Sequence, residues 1–174
     1  QQDIQTLLRI RSRHKETRKI TVNQIRGLLT EYGIIIPKGI AHISKQLPSI
    51  LEDGENGLSF TAREAIAELF EEHHRLSAKI ATADLKLNVI AQNHPIAKSM
   101  MRLRGISPIT ALALFACVGN AAQFKNARQL SAWLGLVPKQ YGTGGKVQLS
   151  GISKRGDNYL RVLLIHGART VMHW

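Results

Sequence analysis

The sequence predicts a mainly α protein, in which a long helical coiled-coil segment precedes a compact multi-helix domain with one glycine-rich loop and a short β-hairpin within it. Two patterns and one local composition carry that expectation. Apolar residues recur at spacings of three and four over two long stretches, the period of a helix face. Beyond Pro95 the same texture continues in shorter runs separated by glycines. Gly142, Gly144, Gly145, Gly151 and Gly156 then fall within 15 residues, where irregular backbone is expected.

Residues 1–33 read as the first helix. They contain no Pro and no Gly before Gly27, and Ile4, Leu7, Leu8, Val22, Ile25, Leu29 and Tyr32 recur on one face. Between the apolar ends lies RIRSRHKETRK, where Arg11, Lys15 and Arg18 continue the stripe, so part of a face expected to be core is cationic. Such a face is either solvated between two packed ends or grips a nucleic-acid backbone. Gly33, Pro37, Gly39, Pro48, Gly54 and Gly57 break up residues 34–59, which read as a connector with at most a short helix. Thr61 opens the next helix with a capping-box spacing, TARE, in which its hydroxyl takes the amide of Glu64 while Glu64 reaches back. Ile66, Leu69, His73, Leu76, Ile80, Ala83, Leu87 and Ile90 then form a heptad seam, which ends before Pro95. The seam predicts pairing with the first helix, with another subunit, or with both. His73 reads as a polar register-setter at a seam position, and no HExxH spacing is present.

Pro95 to Leu103 suits a helix with Gly105 past its end, and Pro108 suits the first position of the next, ITALALFACVG. The link LRGISPITAL is similar to the hairpin of a helix-hairpin-helix module, with Ser107 where a second Gly is usual. Asn126 caps NARQLSAWLG, with Gln129 in the capping-box position and Gly135 as the stop. After the glycine-rich stretch, with its hairpin placed around Val147 to Leu149, Asp157 or Asn158 caps a final helix. Its packing face is Leu160, Leu163, Leu164, Gly167 and Val171.

Charge narrows the function. The chain has 174 residues, a formal net charge of +12 and pI near 10.4, which points to a polyanionic partner. Residues 1–45 hold nine basic and three acidic residues, residues 46–84 three and eight, and residues 85–174 twelve and one, Asp157 being the single acid. The basic bodies suit nucleic acid and the acidic stretch suits protein contact. One cysteine, Cys117, in an apolar run excludes a disulfide framework and a cysteine-rich zinc site, and fits a reducing intracellular compartment. No uninterrupted apolar stretch is long enough to span a membrane, and the first residues are neither signal nor transit peptide. The absence of an initiator Met and the stop inside a helix-like run at Trp174 predict a piece of something longer.

The glycine-rich stretch is where chemistry is expected. GTGGK invites comparison with a Walker A loop, but Gln140 stands where the first Gly is required and Val147 where Ser or Thr is, which argues against nucleotide hydrolysis. A hydroxyl at Thr143, flanked by glycines and followed by Lys146, Lys154 and Arg155, suits a nucleophile attacking a phosphodiester, with cations stabilising the pentavalent transition state. The same composition also suits a loop that only binds phosphate, with Thr143 as a donor. Ser150 and Ser153 are lesser nucleophile candidates.

The stretch FKNARQLSAWLGLVPKQYGTGGKVQLSGISKRGDNYLRVLLIHGAR closely resembles the C-terminal domain of the Piv-type DNA invertases and insertion-sequence transposases, the bridge-RNA-guided recombinases. RLRGISPITALALFACVG resembles the segment leading into that domain, and residues 1–92 resemble the long helical region before it. The resemblance implies residues 1–92 as a helical coiled-coil and oligomerisation segment and residues 93–174 as the transposase C-terminal domain. It also implies an upstream RuvC-like domain with an acidic tetrad that binds a divalent metal, Mg, and no cofactor in the present chain. The family's catalytic serine stands two residues after the aromatic of the PKQY-like segment and before a Gly, which puts Thr143 in its place. Thr keeps the hydroxyl, and its added methyl restricts the rotamer and crowds in-line attack. Tyr141, Gly144, Gly145, Lys146, Lys154, Arg155 and Arg161, with Arg11, Lys15 and Arg18 on the first helix, are the expected nucleic-acid-binding residues. Expected partners are DNA, a guide RNA and further copies of the chain in a dimer or tetramer, in the bacterial cytoplasm at the nucleoid and without a membrane. The competing reading is a non-catalytic nucleic-acid-binding and oligomerisation module, and a third is a structural coiled-coil adaptor.

Overall fold

The computed structural model describes residues 1–173 apart from the side chain of Thr143. The order is α1 (Gln2–Glu31), α2 (Ile40–Glu52), α3 (Phe60–Asn93), α4 (Pro95–Met100), α5 (Pro108–Val118), a 3-10 turn (Ala121–Gln123), α6 (Ala127–Trp133), β1 (Pro138–Thr143), β2 (Lys146–Ile152) and α7 (Asn158–Met172). The mainly α expectation holds, with one two-stranded antiparallel sheet. The chain divides into two compact units, residues 1–8 with 86–174 and residues 9–85, and α1 and α3 each contribute to both.

In the unit of residues 9–85, the Arg11 guanidinium pairs with the Asp84 carboxylate and Arg18 Nη1 donates to Ser77 Oγ at 3.3 Å. As α1 ascends its partner descends, so the two helices run antiparallel. Val22, Ile25 and Leu29 of α1 join Ile36, Ile43, Leu47, Leu58 and Ile66 in one core. Leu76 and Ile80, further along the seam, are also buried. The predicted connector is corrected here: it contains a 13-residue helix, α2, because Ile43 and Leu47 lie on one face and their burial outweighs the bond that Pro48 removes from the exposed side. The cap of α3 is also corrected from Thr61 to Ser59, whose Oγ accepts from Ala62 N at 3.2 Å. Arg63 stitches the loop between α2 and α3 through the carbonyls of Ile50 and Leu51 and the Asn56 side chain.

The other unit is built around α5. Its Ala111, Leu112, Ala113 and Ala116 are buried among Ile4, Leu8, Leu87, Ala91, Ala97, Leu134 and Leu160. The small residues let neighbouring backbones come close, and Gln5 Nε2 donates to the Ala116 carbonyl at 2.7 Å, tying the first turn of α1 to α5. The caps of this unit follow the sequence. Asn126 Oδ1 accepts from Gln129 N at 3.0 Å, and Asp157 Oδ1 accepts from Leu160 N at 2.9 Å. Ser107 Oγ accepts from Thr110 N at 3.2 Å, and Pro108 takes the first helical position.

Candidate nucleic-acid interface

The glycine-rich stretch is a hairpin, longer than the short one expected around Val147 to Leu149. Thr143 pairs with Lys146, Gly142 with Val147, Tyr141 with Gln148 and Gln140 with Leu149. Gly144 and Gly145 have φ of 58° and 80°, the two positive values of a type I′ turn, which side chains at these positions would resist and which matches the twist of the flanking strands. Near the base the register shifts, setting Ser150 and Gly151 against Lys139 as a bulge. Among the described residues the strands pair only with each other, and every described residue of β2 before Ile152 is exposed. Thr143 therefore sits at the last strand position before the turn. Its side chain lies outside the described residues, so the nucleophile assignment meets only backbone here.

Beyond Ile152 the chain is sewn to the end of α6. Ser153 N donates to the Val137 carbonyl at 2.8 Å and Lys154 N to the Gly135 carbonyl at 3.0 Å. Lys154 has φ of 57°, a left-handed conformation that a non-glycine residue adopts only where its surroundings hold it. A methyl group on Gly135 would come within 2.7 Å of Arg155 N and Gly156 N, and one on Gly156 would strike the Trp133 carbonyl oxygen. The two turns are thus in backbone contact. This contact presents Lys154 and Arg155 to solvent on a fixed support.

Arg161 makes that support. The expectation had it on a nucleic-acid surface, but its side chain is buried, with Nη1 donating to the Leu134 carbonyl at 3.2 Å and the Gly156 carbonyl at 3.1 Å. Nη2 donates to Asn158 Oδ1 at 2.9 Å. Its planar fork answers three acceptors from the two turns and the start of α7, geometry that a single ammonium would not match. Arg161 therefore braces the turns beside Lys154 and Arg155, with its guanidinium donating to acceptors inside the fold. Arg161 stands three residues before Leu164, which packs against the core, and that helical spacing is the signal that could have placed it inside.

The cationic stripe of α1 occupies seam positions. Arg11 faces Asp84 and Arg18 faces Ser77, with Arg18 Nε buried and unpartnered among the described residues. Lys15 is exposed; desolvation and the Arg11 and Arg18 charges hold its pKa below the usual lysine value, and Asp84 partly opposes them. Of the three, only Lys15 offers its cation to solvent. Sequence reasoning passed over Arg9, Arg13 and Lys19, which are exposed. Carrying the heptad from Leu8 through to Val22 would have found them, since it turns Arg11 and Arg18 toward the seam and Arg9, Arg13 and Lys19 away from it; Lys15, on the same stripe, is exposed all the same.

His73 is buried in the same unit. Its Nε2 lies 3.2 Å from Ser44 Oγ on α2, its ring stacks beside Phe70, and Nδ1 has no partner among the described residues. Burial, then His74 and Arg18, lower its pKa, so the ring is neutral near pH 7. Among the described residues no three His, Cys, Asp or Glu side chains form a group able to hold a metal ion. No described helix is long and apolar enough to cross a membrane.

Residues 97–174, which include α5, the hairpin and the arginine-braced turn, match the model of the Transposase IS116/IS110/IS902 family. Across 173 residues, 99% of the chain and 51% of the relative, the sequence is 40% identical to a "Probable family 20 transposase" of Pseudomonas aeruginosa. It is also 40% identical to the transposase for insertion sequence element IS1111A of Coxiella burnetii, over 99% of the chain and 47% of the relative. It is 36% identical to the transposase for insertion sequence element IS1328 of Yersinia enterocolitica, over 99% of the chain and 51% of the relative. The chain spans about half the length of these curated relatives. The resemblance to insertion-sequence transposases read from the sequence agrees with this at the level of the transposase domain.

Proposed function

We propose that the chain is the DNA-handling and nucleophile-bearing half of a transposase that cuts and rejoins DNA through a covalent hydroxyl-phosphate intermediate. The observation that carries it is the position of Thr143: the last strand residue before a two-glycine turn, opposite Lys146, on an exposed hairpin within the family-matched segment. In the proposed step the Thr143 hydroxyl oxygen bonds to phosphorus while one ester bond to a deoxyribose oxygen breaks. The proton lost by the hydroxyl balances the one taken up by the departing sugar oxygen. Attack by a sugar hydroxyl on the protein-phosphate ester reverses the step on a new strand and conserves the bond energy. Lys146, Lys154 and Arg155 neutralise phosphate, Gly144 and Gly145 let the strand approach the backbone, and Tyr141 flanks the path. Arg161 holds the basal turn.

The proposal extends to partners. DNA is the substrate, a guide RNA directs it, and the full-length protein works as a homo-oligomer, dimer or tetramer, in the bacterial cytoplasm at the nucleoid. An upstream RuvC-like domain supplies the divalent metal. Ile66, Leu76, Ile80 and Leu87 of the seam are already buried within one chain, so an assembly would use other surfaces. The second reading, a binding and oligomerisation module without chemistry, draws support from the threonine where the family has serine.

A denaturing gel of full-length protein with its DNA separates the two. A covalent adduct is expected, lost in Thr143→Ala and kept in Thr143→Ser. An adduct forming at the wild-type rate in Thr143→Ala would falsify the chemical part and leave the binding module.

A further inference from the structure

The two faces of the β1–β2 ribbon have different chemistry. Residues paired across an antiparallel ladder share a face, so Tyr141, Lys146 and Gln148 fall on the side of position 143, and Gln140, Gly142, Val147 and Leu149 on the other. Val147 and Leu149 are 57% and 68% exposed, two apolar side chains side by side on an otherwise polar element. A lone two-stranded ribbon is marginal in water, and exposed apolar strand faces are normally avoided. This face is therefore built to meet an apolar surface.

The surroundings decide which one. No acidic residue occurs between Lys86 and Gly156, and the ribbon and its base carry Lys139, Lys146, Lys154 and Arg155. Charge complementarity calls for a partner that is anionic all around and apolar within. Nucleic acid has that form, with flat base faces inside a sheath of phosphates.

We propose that the ribbon is a strand-separating pin. It enters the duplex with Val147 and Leu149 packed on the faces of unstacked bases, while the cations draw one strand along the opposite face and past position 143. Apolar side chains pressed between base steps unstack them, and the binding of phosphates by the cations offsets the stacking that is given up. Tyr141, 60% exposed on the polar face, stacks on a base of the drawn strand, an interaction that tolerates any sequence. The phosphodiester reaching position 143 is then locally single-stranded. This inference rests on the nucleic-acid reading of the hairpin and adds the state of the DNA at the moment of cleavage.

The test uses the whole 174-residue chain and a forked DNA duplex with 2-aminopurine at the junction, a base whose fluorescence rises on unstacking. The wild type is expected to bind and raise the signal. The double variant Val147→Thr/Leu149→Thr, which keeps strand-forming residues, is expected still to bind through the cations, to melt at the same temperature and to lose the rise. Binding without any rise in the wild type would overturn the pin and leave nucleic-acid binding standing. A double variant that keeps the rise would overturn it as well, as would one whose only effect is a changed oligomeric mass, since a second copy would then cover the face. Absence of binding even at low salt would instead defeat the nucleic-acid reading itself.

Discussion

Removing the Arg161 guanidinium leaves the carbonyls of Leu134 and Gly156 without their donor inside the fold. Arg161→Met is expected to cost about 2–4 kcal/mol, since buried groups left unpaired lose their full desolvation penalty. Circular dichroism should show a drop in Tm on the order of 10 °C, and an unchanged Tm would show that the brace contributes nothing. His73 makes a second prediction with a definite sign. Its folded pKa is below the usual histidine value, so the unfolded chain binds the proton more readily. The stabilisation from the neutral ring is fully present above about pH 6.5 and falls as pH drops below that toward the lowered folded value. Denaturant titrations from pH 7 to pH 5 should show stability falling, and His73→Leu should reduce the slope; an equal slope in both would assign it elsewhere. Caps such as Asn126 and Asp157 were legible because a cap is a local bond between near neighbours. Arg161 was not, because its acceptors come from turns 5 and 27 residues away in sequence and composition counts every arginine alike.

At the scale of elements, α5 is the test of the core that supports the hairpin. Leu112 is fully buried, and Leu112→Ala is expected to destabilise by about 2–5 kcal/mol, read from the midpoint of denaturant unfolding. The hairpin should behave oppositely. Its amides are expected to exchange with deuterium well before those of α5, because two exposed strands pair, among the described residues, only with each other. Exchange as slow as in the helix would show that something covers it. The long helices and the seam were readable because periodicity accumulates over many turns. α2 was obscured by Pro48 and its flanking glycines, although Ile43 and Leu47 keep helical spacing. The hairpin was half visible: Val147 and Leu149 alternate, but reading Gly144 and Gly145 as a loop hid that two glycines between strands are also the turn a tight hairpin requires.

For the whole molecule, the net charge overstates the cation presented outward. Arg11 and Arg18 face α3, Arg63 binds carbonyls of its own unit, and Arg161 is enclosed. The salt dependence of DNA binding is expected to reflect this. Replacing Lys146, Lys154 and Arg155 by Ala should lower the log–log slope by about 2–3, near 0.9 for each phosphate no longer neutralised, while replacing Arg11 and Arg18 should leave the slope as it was. Equal slopes for both sets would remove the hairpin from the interface. A last consequence concerns what can be cut from what. The family match begins at residue 97, yet the core around α5 also contains Ile4 and Leu8 from the first helix and Leu87 and Ala91 from the third. Residues 97–174 are thus not a portable module. A gene fusion that transplanted only that stretch would carry the hairpin and its braced turn without the side chains that close the core beneath them.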